Sequence, residues 1–153
     1  GAHFNPAVSL VLFFLKKTNQ TEMLFYILFQ ILGGLLGVFM THYIFNLEII
    51  QISSNARGEE RMLVSEIIAT FGLVLTILFV NDNRPEDLAF AVALFISAGY
   101  WFTSSTAFAN PAVTLARAFT DTFTGIHPNS TFYFICGQGI GSILAFIFYK
   151  KMH

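Results

Sequence analysis

Long apolar stretches separated by short polar connectors run through this chain. Residues 23–45, 88–109 and 131–149 carry no Lys, Arg, Asp or Glu, and residues 62–80 carry one acid, Glu66. Each stretch is near the roughly 20 residues that a helix needs to cross a hydrocarbon core. The connectors hold the charge: Lys16 and Lys17 before the first stretch, residues 46–61 after it, 81–87 between the middle two, and 120–130 before the last. The pattern predicts an all-α membrane protein with spanning helices over 23–45, 62–80, 88–109 and 131–149.

Two further apolar runs are too short to span. The same four residues open both, as Asn5-Pro6-Ala7-Val8 in GAHFNPAVSL and as Asn110-Pro111-Ala112-Val113 in FANPAVTLARAF. Asn at an N-cap accepts a bond from a free backbone N–H, and Pro fits the first helical turn. Each copy therefore reads as a helix start. From Asn5 to Leu15 the run is roughly 16 Å long at 1.5 Å per residue, about half of a 30 Å hydrocarbon core. The run from Asn110 to Phe119 is similar. The spacing predicts a loop and re-entrant half-helix over 1–17 and a second over 107–120.

Three predicted spans separate the two copies, and an odd number of crossings places them on opposite faces. Half-helices entering from opposite faces meet near the midplane with their N-termini facing, an inverted repeat with broken helices. Two helix N-termini focus positive potential at one point. The side-chain amides of Asn5 and Asn110 can donate to a passing oxygen. A neutral solute with a hydroxyl or water oxygen matches such a site, and a cation does not.

Composition sharpens the class. The 153 residues are 55% hydrophobic and 11% charged, against about 25% charged in an ordinary soluble domain. A net charge of −1 argues against a nucleic-acid partner. One cysteine, Cys136, allows no intramolecular disulfide and no cysteine-only metal site. His42 and His127 have no neighbour at ligand spacing, so no metal and no cofactor is expected. Lys16, Lys17, Arg84, Lys150 and Lys151 fall on one side if each stretch crosses once, with Arg57 and Arg61 on the other beside Glu59 and Glu60. Lys and Arg excess marks the cytoplasmic face, which puts the first group inside. An ion-coupled transporter needs ionisable residues within its spans, where only Glu66 stands. A membrane enzyme needs a metal or nucleophile cluster, and no spacing supplies one.

The paired motif resembles the signature of the aquaporin, or major intrinsic protein, family. SEIIATFGLVL is similar to the start of that family's second repeat and CGQGIGS to its last helix, so the resemblance covers the whole chain. It implies an inverted-repeat, right-handed helical bundle of six spanning helices and two half-helices. It further implies a homotetramer in membrane lipid, one pore per subunit, that passes small neutral solutes. In the family two spanning helices precede the first motif. This chain begins almost on it and is expected to be a fragment, with four spanning helices plus two half-helices. A non-functional remnant of a channel gene is one alternative reading, and a water-selective pore is another.

The resemblance also assigns roles. Many members carry Arg directly after the second motif, where this chain has Val113, with Arg117 one helical turn on. Ala107 takes another selectivity position and Ala98 or Gly99 a third, where water-selective members often carry a bulky His. Three filter positions are then small or apolar, which favours glycerol- or arsenous-acid-sized solutes over water alone. NPAVTLARAFTDTFTGI resembles a bacterial subgroup often associated with arsenic-resistance genes, which implies a bacterial inner membrane. A Glu at the position of Glu66 bonds buried loop backbone in the family, and His3 is expected to steady the first loop. Gly33 with Gly37, and Gly137 with Gly141, have the spacing of close helix packing. Asp121 is expected to cap the second half-helix or to pair with Arg117.

Overall fold

The computed structural model describes residues 1–58 and 60–152, so Glu59 lies outside the described residues. The chain forms α1 (Pro6–Phe14), α2 (Gln20–Ile44), α3 (Glu60–Asn83), a short 3-10 turn (Pro85–Asp87), α4 (Leu88–Phe102), α5 (Pro111–Arg117) and α6 (Pro128–Met152). Three of these helices, α2, α3 and α6, are long and apolar enough to cross a membrane. With 25, 24 and 25 residues, they reach roughly 36–38 Å at 1.5 Å per residue. α1 and α5, of nine and seven residues, cannot.

Local sequence explains where the helices start and stop. The Asn19 side chain accepts from the Glu22 backbone, and the Glu22 side chain accepts from the Asn19 backbone, a reciprocal cap on α2. α1 ends with Lys16 in the left-handed region at φ 58. Lys17 N donates to Leu12 O and Lys16 N to Phe13 O, which satisfies the last carbonyls of the helix. α2 closes in the same way through Asn46 (φ 54), with Leu47 N donating to His42 O.

The fourth expected span, 88–109, is corrected to a helix of 15 residues that stops at Phe102. Thr103 already has extended backbone, and its Oγ1 donates to Gly99 O at 2.6 Å. The run Thr103-Ser104-Ser105-Thr106 offers side-chain hydroxyls that compete with the helical ladder, and residues 103–109 become the approach to α5 instead. α5 also stops short of the expected Phe119, with Ala118 as its cap.

The core forms where α3 crosses α6. A Cβ at Gly137 would lie 2.6 Å from Leu63 O, and one at Gly141 would lie 2.6 Å from Ile67 O. The absent side chains let the two backbones touch. Val8 and Val11 of α1 pack into this crossing with Val74, Leu78, Ala145 and Tyr149. The other pair differs: no described atom lies within 4 Å of a Cβ built at Gly33 or Gly37, and it is Gly34 that meets Ala116 of α5.

The two ends of the bundle are tied by different chemistry. At one end Lys17 Nζ lies 3.6 Å from Asp82 Oδ1, and the Tyr149 hydroxyl donates to Asp82. That gathers the turn after α1 and the last turns of α3 and α6. At the other end the buried His42 ring meets Ile49 O and Thr120 Oγ1, both at 2.9 Å. There the α2–α3 loop runs against the segment after α5: Ser53 N donates to Ala118 O at 3.0 Å and His127 N to Asn55 O at 2.8 Å. Gly125 permits that approach, because a Cβ there would overlap Thr120 O and Ser53 Oγ. Asp121 belongs to this seam and is not paired with Arg117. Its Oδ1 accepts from Ser54 N and Ser54 Oγ, both at 2.8 Å.

Candidate functional site

Asn5 and Asn110 sit at the starts of α1 and α5 and do the same two things. Asn5 Oδ1 accepts from Ala7 N at 2.9 Å, and Asn110 Oδ1 accepts from Ala112 N at 3.0 Å, so each caps its own half-helix. Pro6 and Pro111 occupy the first helical position, where a missing N–H costs nothing. The side-chain amides then cross over. Asn5 Nδ2 donates to Ala109 O at 2.7 Å, and Asn110 Nδ2 donates to Phe4 O at 2.9 Å. The N-terminus of α1 therefore faces the N-terminus of α5 across a reciprocal pair of bonds.

The backbone before each asparagine repeats as well. Phe4 and Ala109, one residue before the caps, have φ of 53 and 47; Ala2 and Ala107, three before, have φ of 62 and 47. None is glycine, and left-handed backbone costs a non-glycine residue roughly 1–3 kcal/mol. The conformation aims the carbonyls of Phe4 and Ala109 at the opposing amide, and those bonds help to hold it.

Glu66, fully buried on α3, organises the second loop. Its Oε1 accepts from Ser105 Oγ at 2.5 Å and Phe108 N at 3.0 Å, and its Oε2 accepts from Ala109 N at 2.8 Å and Gln138 Nε2 at 2.6 Å. Gln138, on α6, was not singled out in the sequence. Its Nε2 also donates to Thr114 Oγ1 at 2.8 Å, and Thr114 Oγ1 donates back to Asn110 O at 3.0 Å. The first half has the counterpart: Gln30 Nε2 donates to Ser9 Oγ at 3.1 Å, and Ser9 Oγ donates to Asn5 O at 3.2 Å. The signal was present in the sequence, since Gln30 and Gln138 are amides inside chargeless apolar runs. His3 lies 3.1 Å from Ser9 Oγ through Nδ1, and its ring stacks on Tyr26 at 4.0 Å.

The remaining candidate positions separate. Gly99 is buried against the second loop, where a Cβ on it would meet Ala107 Cβ at 2.7 Å. Ala107, 6% exposed, packs with Ala69, Leu73 and Ala109. Ala98, the preceding residue on α4, is exposed, and Val113 is half-buried in the first turn of α5. The Arg117 guanidinium lies over the Phe108 ring at 4.3 Å from its centroid. A second arginine shares that ring: Arg57, on the α2–α3 loop, lies 5.4 Å from the same centroid. Its guanidinium donates to Thr106 Oγ1 at 3.3 Å and Phe123 O at 3.0 Å. Burial, and then the Arg117 charge, pull the Arg57 guanidinium below its ordinary pKa, while Glu66 opposes the shift.

Half-helices that enter a bundle of apolar helices from its two ends and meet at capped N-termini define a polytopic membrane protein built as an inverted repeat. The sequence profile of the major intrinsic protein family (MIP) matches residues 1–87, more than half of the chain, and the chain belongs to that family, whose members are channels rather than enzymes. It is 41% identical over 145 residues to aquaglyceroporin AqpS of Rhizobium meliloti (strain 1021), an alignment of 95% of this chain and 62% of that protein. It is 27% identical over 161 residues to aquaporin-4 of Mus musculus (98% and 49%). With aquaporin-5 of Mus musculus it shares 27% over 164 residues (97% and 59%). The chain thus spans about half to three-fifths of the length of these relatives.

Proposed function

We propose that this chain supplies the paired-loop part of a passive membrane channel for small neutral solutes. The observation that carries the reading is the reciprocal bond between the two loops, Asn5 Nδ2 to Ala109 O and Asn110 Nδ2 to Phe4 O. It brings two helix N-termini and two amide donors to one place. Each amide has two N–H groups; one is used on the opposing carbonyl, which leaves the other for a solute oxygen. A cation meets two positive dipole ends and finds no carboxylate, because both oxygens of Glu66 are turned into the loop. The channel works as a homotetramer in lipid, in the inner membrane of a bacterium.

The cargo extends to glycerol- or arsenous-acid-sized solutes. Val113 places a short branched chain where a long cation would narrow the path, and Ala98 adds little bulk. Ala107 and Gly99 pack against each other, so neither position brings a bulky side chain to the path. The test is uptake into vesicles carrying the full-length protein, with Val113→Arg beside the unmodified channel. The unmodified protein should take up water, glycerol and arsenous acid, and Val113→Arg should cut uptake of the larger solutes by about tenfold or more, with water least affected. Uptake of water alone by the unmodified channel would instead establish the water-selective alternative. No uptake of any of the three would establish a non-functional remnant.

A further inference from the structure

Two guanidiniums on one aromatic ring need a reason. Among the described residues neither Arg57 nor Arg117 has a carboxylate within ion-pair distance; the described ion pairs are Lys17–Asp82 and Arg84–Asp87. Glu66, whose charge acts on Arg57, is saturated by four donors. Like charges held together without a counter-ion are unfavourable, so the surroundings must enforce the arrangement. They do. Arg57 N donates to Ser130 Oγ at 3.0 Å, His127 N to Asn55 O at 2.8 Å and Asn55 Nδ2 to Phe123 O at 3.4 Å. These bonds stitch the loop at Asn55 and at Arg57 to the start of α6 and the segment after α5. Phe108 is itself fixed, its N–H on Glu66 and its ring 4.9 Å from that of Phe134.

We propose that Arg57, carried by the α2–α3 loop, acts with Arg117 as the cation-rejecting element at the outer mouth of the channel. The inference rests on the channel reading above and deepens it. Thr106, which Arg57 bonds, is four residues before Asn110, and Phe108 is two before it. The charge pair therefore stands at the entrance to the second loop. Each guanidinium has five N–H donors in a rigid fork. Arg57 spends two on the protein, which hold its charge in place. A side chain at position 113 is then not the sole source of positive charge beside the path. Monovalent cations are turned away by the paired charge, and small neutral molecules are not.

The experiment uses the full-length protein in vesicles, with two readouts: glycerol uptake by light scattering and potassium conductance in a bilayer. Arg57→Gln keeps an N–H donor for Thr106 and removes the charge; Arg57→Lys keeps the charge and loses the fork. Arg57→Gln should keep glycerol uptake within about threefold of the unmodified protein and raise potassium conductance about tenfold or more. Arg57→Lys should exclude potassium as the unmodified protein does. Equal conductance in all three proteins, with glycerol uptake intact, would overturn the inference and leave the channel reading standing. Loss of glycerol uptake in Arg57→Gln and Arg57→Lys alike would also overturn it, by reducing Arg57 to a loop anchor. An unmodified protein that takes up no neutral solute would overturn both.

Discussion

Replacing Glu66 tests how the second loop is held. Both oxygens of this carboxylate accept two bonds: Ser105 Oγ and Phe108 N on one, Ala109 N and Gln138 Nε2 on the other. Glu66→Ala strands two buried backbone N–H groups, each costing about 1–3 kcal/mol, and opens a void. The expected destabilisation is about 3–5 kcal/mol. Glu66→Gln separates the contributions. Its amide can place a carbonyl on only one of the two sites. If the NH2 faces Ser105, that hydroxyl turns and accepts, and Phe108 N alone is stranded. If it faces Gln138, that amide must turn to accept, its NH2 leaves Thr114 for the partnerless place of Oε1, and both Ala109 N and the Gln138 NH2 are stranded. The first orientation, with one backbone donor lost, is the cheaper, so the cost is about 1–3 kcal/mol. The consequence reaches the site, because Ala109 also presents the carbonyl that Asn5 grips at 2.7 Å. Thermal unfolding of the detergent-solubilised protein should therefore rank the unmodified protein above Glu66→Gln and Glu66→Gln above Glu66→Ala, with solute uptake falling in the same order. Equal stability of Glu66→Ala and the unmodified protein, or equal losses for Gln and Ala, would refute the accounting.

Two further predictions concern packing and the outer seam. Gly141→Ala should destabilise by about 1–3 kcal/mol in the same unfolding assay, because its Cβ would sit 2.6 Å from Ile67 O and α3 and α6 must separate to admit it; an unchanged melting point would count against backbone contact at this crossing. Asp121 is held below its ordinary pKa, first by the Ser54 backbone N–H and then by the Ser54 hydroxyl. Its contribution is thus complete above the ordinary carboxylate range and fades as pH falls through the lowered value, so the Ser54 amide resonance should be constant from neutral pH to about pH 5 and move only in stronger acid. Titration of that resonance near neutrality would remove Asp121 as the acceptor.

Much of the architecture could be read from the sequence because its causes are local. A run of apolar residues sets a spanning helix wherever it lies, and Asn-Pro starts a helix without help from distant residues. That is why α1, α2, α3, α5 and α6 follow the hydrophobic pattern and its caps. The facing of the two half-helices was expected from three crossings between them, but α4 has only 15 residues, and it is the reciprocal asparagine bonds that bring the N-termini together. Pattern failed over 88–109. Hydropathy counts Thr103–Thr106 as tolerable inside a span, whereas the structure ends the helix at Phe102 because Glu66, 39 to 43 residues away in the chain, offers the segment better partners than its own carbonyls. Asp121 went the same way: charge alone suggested Arg117, and a loop 67 residues distant in sequence supplied Ser54. The sharing of one ring by Arg57 and Arg117 had no trace in the spacing, because 60 residues separate them and only the seam between two loops brings them together. What neighbours along the chain can dictate, the sequence by itself determined: the asparagine-capped helix starts and the apolar runs of α2, α3 and α6. The charge at the mouth, the grip on the second loop and the crossing of the two asparagine amides come from groups far apart in sequence, and only the tertiary structure, by closing those distances, decided them.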